Sequence, residues 1–178
     1  PSGCGKSSLV RAGILPRLSA TIRAVYIQAA GDDTEQRLQH HLNHQFPDLS
    51  MEADLAESLA EVRTGRKLGR NEKLLIVIDQ FEQWLHGRAD QGDSELAMAL
   101  RQCAGINRQC LLLLRDDFWL AMSRFASIVE VPLKQNHNVT FVDLFSPPQA
   151  RRVLADFGVA YDRLPEHSKD RSLAENQF

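Results

Sequence analysis

At 178 residues and 20.0 kDa, the chain is long enough to bury one sizeable core. Its Lys plus Arg (21) and Asp plus Glu (23) leave a formal charge of −2, which excludes a generally basic nucleic-acid binder and an acidic disordered tail. No apolar run approaches the roughly 18 residues that a bilayer crossing needs, so no membrane span or membrane partner is expected. Three scattered cysteines, Cys4, Cys103 and Cys110, fit reduced thiols in a cytoplasmic protein better than a disulfide framework or a zinc site. The opening at Pro1-Ser2-Gly3, without Met or a leader pattern, reads as a piece of a larger protein.

In chain order, Leu9, Val10, Ile14 and Leu15 predict a helix from Gly5 to Leu18, ended by Gly13 and Pro16. Ala24 to Ile27 reads as a short strand. Asp32 to Glu35 is an acidic helix start, and Leu38, Leu42 and Phe46 then recur every four residues up to Pro47. Leu55, Leu59 and Val62 mark another helix. Leu74 to Ile78 is apolar at every position, which predicts a strand covered on both faces, as in a parallel sheet. A helix from Glu95 to Cys103 follows, then Leu111 to Leu114 as a second fully buried strand. Asp116 to Val129 reads as a long helix with Phe118, Met122, Phe125 and Val129 on one side. Val139 to Val142 reads as a last strand, and Pro147-Pro148 opens a helix containing Val153, Leu154 and Phe157, with a frayed tail after Pro165.

This alternation predicts an α/β fold, a parallel sheet with flanking helices. Its core spans 1–146, and a helical extension with the tail spans 147–178.

The first residues carry the strongest chemical signal. Ser2-Gly3-Cys4-Gly5-Lys6-Ser7-Ser8 matches the phosphate-loop pattern G-x-x-x-x-G-K-[ST] except for the leading Gly, which would precede Pro1. Cradling a nucleotide requires successive backbone N–H groups pointing into one concavity, and glycines permit that conformation. Lys6 would reach the β- and γ-phosphates of ATP and Ser7 would hold Mg2+. The helix start after Gly5 would point its positive end at the phosphates. The alternative is a Gly-rich turn that merely caps a helix.

Asp79 ends the apolar strand, and ligands of parallel sheets bind beyond the carboxyl ends of strands. There its carboxylate would hold Mg2+ through water, the Walker B role, whereas a bare strand-end acid would serve as a cap. Glu82 is the nearest group to orient or deprotonate an attacking water, against a solvated surface Glu. Arg115 follows Leu111 to Leu114, again at a strand end. It would either test for the γ-phosphate, present in ATP and absent from ADP, or pair with Asp116 or Asp117. Other clusters are weaker. His40, His41 and His44 lack a third ligand set by spacing and read as a solvated face. Arg63, Arg66, Lys67 and Arg70 read as a solvated basic loop, so nucleic acid is not an expected partner. Trp84 and Trp119 read as packing anchors.

Taken together, Pro1-Ser2-Gly3-Cys4-Gly5-Lys6-Ser7-Ser8-Leu9, Asp79-Gln80-Phe81-Glu82 and Leu114-Arg115-Asp116-Asp117-Phe118 resemble the novel STAND NTPases, signal-transduction ATPases related to NACHT and NB-ARC proteins. The resemblance runs from about Pro1 to Phe157. It implies an ASCE-type P-loop sheet of strand order 5-1-4-3-2, lacking its first strand here, with a helical extension after the last. It further implies Lys6 and Ser7 as Walker A residues, Asp79 as the Walker B acid, Glu82 as the catalytic candidate and Arg115 as the sensor arginine. Family members are multidomain switches, closed with ADP and open or self-associating with ATP. They are often linked to protein-kinase effectors and WD40 repeats. Many relatives carry a second Glu where this chain has Gln83, which bears on hydrolysis. Two alternatives stand beside a slow ATPase switch: a degenerate nucleotide-binding scaffold and a DNA-handling P-loop ATPase.

Overall fold

The computed structural model describes residues 3–50, 52–64, 67–69, 71–88, 94–103, 105, 107–161 and 163. Pro1, Ser2, Arg66, Arg70 and the tail after Pro165 lie outside the described residues. The chain divides into two compact units, 1–141 and 142–178.

The first unit opens with one helical segment that changes pitch as it runs. Helix α1, Lys6–Ser8, continues as a π-helix over Leu9–Ile14 and ends in a 3-10 turn, Leu15–Arg17. A uniform α-helix from Gly5 to Leu18 is therefore not what forms. Pro16 has no N–H to give the carbonyl four residues back. The Arg17 guanidinium donates instead to the carbonyls of Ala12 (3.2 Å) and Gly13 (2.7 Å), closing the end of the segment.

Strand β1 (Ile22–Gln28) leads to helices α2 (Thr34–Gln45) and α3 (Leu55–Arg63), then strand β2 (Lys73–Asp79). Helix α4 (Glu82–Arg88) and helix α5 (Glu95–Arg101) precede strand β3 (Arg108–Leu112). A 3-10 turn at Asp116–Phe118 then feeds helix α6 (Trp119–Ile128). The caps follow local chemistry. Thr34 Oγ1 accepts from the Ala30 N–H and donates to the Ala30 carbonyl. Asp54 and Glu57 satisfy each other's backbone N–H groups at the start of α3, and Ser94 accepts from the Ala97 N–H at the start of α5. Helix α4 is not foreseen from the pattern, although Phe81, Trp84 and Leu85 have helical spacing and are all buried.

The sheet is parallel, in the order β1-β2-β3, which reproduces the 2-3-4 part of the expected order. Leu74, Ile76 and Ile78 of β2 join the main core with Val25, Ile27, Leu38, Leu42, Leu59, Leu96 and the Phe81–Trp84–Phe125 cluster. Phe81 and Trp84 stack at 5.4 Å, and Phe125 meets both edge-on at 5.2 and 5.3 Å. Val77, on the opposite face of β2, is also fully buried, as its continuous apolar run predicts.

Two expectations fail at the far edge. Leu111 to Leu114 are half-buried rather than fully buried, and the strand runs over Arg108–Leu112. Val139 to Val142 form no strand; Val139 makes only an isolated bridge to Gln135, and Phe141 is exposed. The reason is the same for both. Among the described residues no fourth strand pairs with β3, so its outer side lacks a neighbour and Val139 to Val142 have no ladder to join. Trp84 is a packing anchor, whereas Trp119 is 40 % exposed against Phe141, ring centroids 5.8 Å apart.

The second unit contains helix α7, Pro147–Ala160. Gln149 Oε1 accepts from the Ser146 N–H and hydroxyl, both at 3.0 Å. Proline at the first helical turn loses no intrahelical bond, which suits Pro147-Pro148 to this start. Among the described residues no helix is long and apolar enough to cross a membrane.

Candidate functional site

The site grows from the loop before α1 and the carboxyl ends of β2 and β3. Gly3 and Gly5 have φ of 75° and 86°, left-handed values that a Cβ disfavours by about 1–2 kcal/mol. Gly5 is the N-cap of α1, and Leu9 donates its N–H to the Gly5 carbonyl at 2.8 Å. Apart from the adjoining residues, no described atom lies within 4 Å of where a Cβ on either glycine would stand. The loop therefore has open space beside its backbone, as an anion cradle requires. Cys4 between the glycines is buried, and the Lys6 ammonium approaches its Sγ at 3.4 Å. Ser7 is half-buried and Ser8 exposed. Ser2, expected in the same loop, lies outside the described residues.

Asp79 closes β2 with 2 % of its surface exposed. Its Oδ2 accepts from the Tyr26 hydroxyl at 2.5 Å and its Oδ1 from the Gln80 N–H at 2.8 Å. Gln80 itself has φ 54°, a left-handed value rare outside glycine, at the turn between β2 and α4. Tyr26 pairs across the ladder with Val77, so Asp79, two residues on, shares its face. Burial, then the hydrogen bond and negative charge of Asp79, push the Tyr26 phenol up to about 12. The Arg11 guanidinium, on the π-helical turn that follows the loop, sits 5.6 Å from the centre of the same ring. A chain of contacts thus links the helix behind the glycine loop to the strand-end acid. No residue-type signal announced Tyr26; only the β1–β2 register brings it to Asp79.

Glu82 starts α4 and is buried, and its Oε2 has no hydrogen-bond partner among the described residues. Its neighbour Gln83 is exposed. Arg115 feels the charge of Glu82, yet its hydrogen bonds go to Asp117: Nε to Oδ1 at 3.0 Å and a terminal nitrogen to Oδ2 at 2.6 Å. This forked pair holds the exposed guanidinium above its ordinary range, the hydrogen bond to Asp117 contributing most. Here the ion pair with Asp117 is what forms.

Lys67 of the basic loop donates to the Asp48 carbonyl and pairs with Glu61 at 3.9 Å. Among the described residues no group of three His, Cys, Asp or Glu side chains could hold a metal ion, and this includes the histidines of α2. An ion beside Asp79 would therefore take its remaining ligands from Ser7, water and a bound nucleotide, the usual manner for Mg2+. The open glycine loop, a buried carboxylate with free acceptor capacity and the unpartnered Glu82 oxygen fit that arrangement.

No curated protein and no solved structure matches the chain. Residues 1–156, however, match the family described as Novel STAND NTPase 1, a span that includes the glycine loop, Asp79, Glu82 and Arg115. With its parallel α/β sheet and these elements in order, the chain belongs to the Novel STAND NTPase 1 family and is a nucleotide-binding module of P-loop NTPase type.

Proposed function

We propose that this module binds ATP with Mg2+, hydrolyses it slowly and acts as a cytoplasmic switch within a larger regulatory protein. The observation that carries the reading is the pair of left-handed glycines ahead of a helix, linked through Arg11 and Tyr26 to the buried carboxylate of Asp79. In this reading the backbone from Gly3 to Ser7 binds the phosphates and Lys6 supplies the cation. Ser7 and Asp79 flank the metal. A bound Mg2+ would supply charge neutralisation between the β- and γ-phosphates. Glu82 orients water: it is the buried acid of the Glu82–Gln83 pair and has an oxygen to spare. Arg115 would exchange Asp117 for the γ-phosphate, so that ATP and ADP are distinguished by a contact only ATP offers. Self-association in the ATP state, and linkage to effector domains such as kinases and to WD40 repeats, complete the proposal and rest on the family resemblance.

A second reading, a nucleotide-binding scaffold without turnover, draws on Gln83, which has no carboxylate to offer. One pair of measurements decides. Lys6→Ala should weaken ATP binding by about 1.5–3 kcal/mol, the worth of a charge-assisted contact, and calorimetry reads this directly. Unchanged affinity removes the phosphate-loop assignment. Phosphate release by the wild type separates switch from scaffold, and stimulation by DNA would favour a DNA-handling ATPase.

A further inference from the structure

We propose that Tyr26 is a positioning residue for the metal side of the nucleotide site: its hydroxyl aims the Asp79 carboxylate and thereby sets how strongly Mg2+ tightens nucleotide binding. The inference rests on the reading of Asp79 as the Mg2+-side acid and adds to it a residue from a different strand. Asp79 is buried, and two donors fix its carboxylate plane, the Gln80 N–H on Oδ1 and the Tyr26 hydroxyl on Oδ2. Each carboxylate oxygen has two acceptor sites, so both donors leave a lone pair free for a metal-bound water. At 2.5 Å the tyrosine contact is in the range of a short charge-assisted hydrogen bond.

The tyrosine is itself held. Its place in β1, opposite Val77, is set by the sheet register, and the Arg11 guanidinium lies 5.6 Å from its ring centre. Arg11 belongs to the helical segment that begins in the glycine loop. The same side chain therefore meets the helical segment that follows the glycine loop through its ring and Asp79 through its hydroxyl. Partners that hydrogen-bond a metal-side ligand hold it in the orientation the ion needs, and their loss commonly costs about 10–100-fold in metal affinity. Without the hydroxyl, Asp79 keeps the Gln80 bond alone and its carboxylate gains freedom to rotate.

Tyr26→Phe tests this, because it retains the ring over which Arg11 sits and deletes only the donor. Binding of a fluorescent ADP would be titrated with excess Mg2+ and again with EDTA, for wild type, Tyr26→Phe and Asp79→Asn. The ratio of the two affinities is the quantity read, and a general loss of binding cancels from it. The expected result is a ratio near one for Asp79→Asn, and for Tyr26→Phe a ratio about tenfold below wild type. A full wild-type ratio in Tyr26→Phe, with the ratio lost in Asp79→Asn, overturns the positioning role while leaving Asp79 in place. A wild-type ratio in Asp79→Asn removes Asp79 from the metal side, and the role of Tyr26 falls with it.

Discussion

Trp84 donates its indole N–H to Glu35 Oε1 at 2.9 Å, and both side chains are buried although 49 residues separate them. The bond ties the first turn of α2 to α4, the helix that begins at Glu82. Arg88 adds a contact at 3.2 Å to the same oxygen and reaches Asp32 at 2.7 Å. Because Trp84 also stacks on Phe81, Glu35 supports the aromatic cluster on which the start of α4 rests.

Glu35→Ala should therefore destabilise the fold by about 3 kcal/mol, since it leaves the buried indole N–H without its acceptor and deprives Arg88 of one of its carboxylate partners. Glu35→Gln retains an acceptor for Trp84 and should lose about 1 kcal/mol. Urea unfolding followed by tryptophan fluorescence measures both. Equal losses in the two variants would mean that the charge, rather than the indole bond, carries the effect.

Arg115 and Asp117 make the second case. If the guanidinium leaves Asp117 for a γ-phosphate, Arg115→Ala weakens ATP binding more than ADP binding, by roughly tenfold. Asp117→Asn, which weakens the competing partner, should tighten ATP relative to ADP. Only such a difference between nucleotides shifts a two-state equilibrium. Calorimetric titration of both nucleotides checks this, and an unchanged ATP/ADP ratio in both variants leaves the pair a purely structural one.

Alkaline pH provides a third test. Burial pushes the Cys103 thiol up to about 12, and burial with the Asp79 bond raises the Tyr26 phenol to a similar value. Both groups are thus neutral in the fold well above the pH at which they ionise in an unfolded chain. A raised value contributes stability that is complete below the unfolded pKa and is lost as pH rises through the folded one. Thermal stability should consequently fall between about pH 9 and pH 12. Cys103 should resist iodoacetamide at pH 8 in the folded protein and react once urea unfolds it. Rapid alkylation of folded protein at pH 8 would show that the thiol is not shielded.

Local chemistry alone marks the glycine loop, because Gly3, Gly5 and Lys6 are read from residue type and spacing, and the left-handed values of both glycines follow. It also marks β2, since an unbroken apolar run from Leu74 to Ile78 has no stable place except between two covered faces. Repeats of Leu38 with Leu42, and of Leu55 with Leu59, suffice for α2 and α3 because a helical stripe depends only on neighbours three and four residues away. Asp79, Glu82 and Arg115 are nameable as candidates for the same reason. Arg115's pairing with a following aspartate is nameable too, since Asp117 lies only two residues on. The long-range partners are not: that Asp79 accepts from Tyr26 and that Glu35 holds Trp84 depends on register and strand order. The runs at Leu111 and Val139 show the converse. Apolar composition matches a buried strand in both, yet burial and pairing require a neighbouring strand, and a ladder is a property of two segments rather than one.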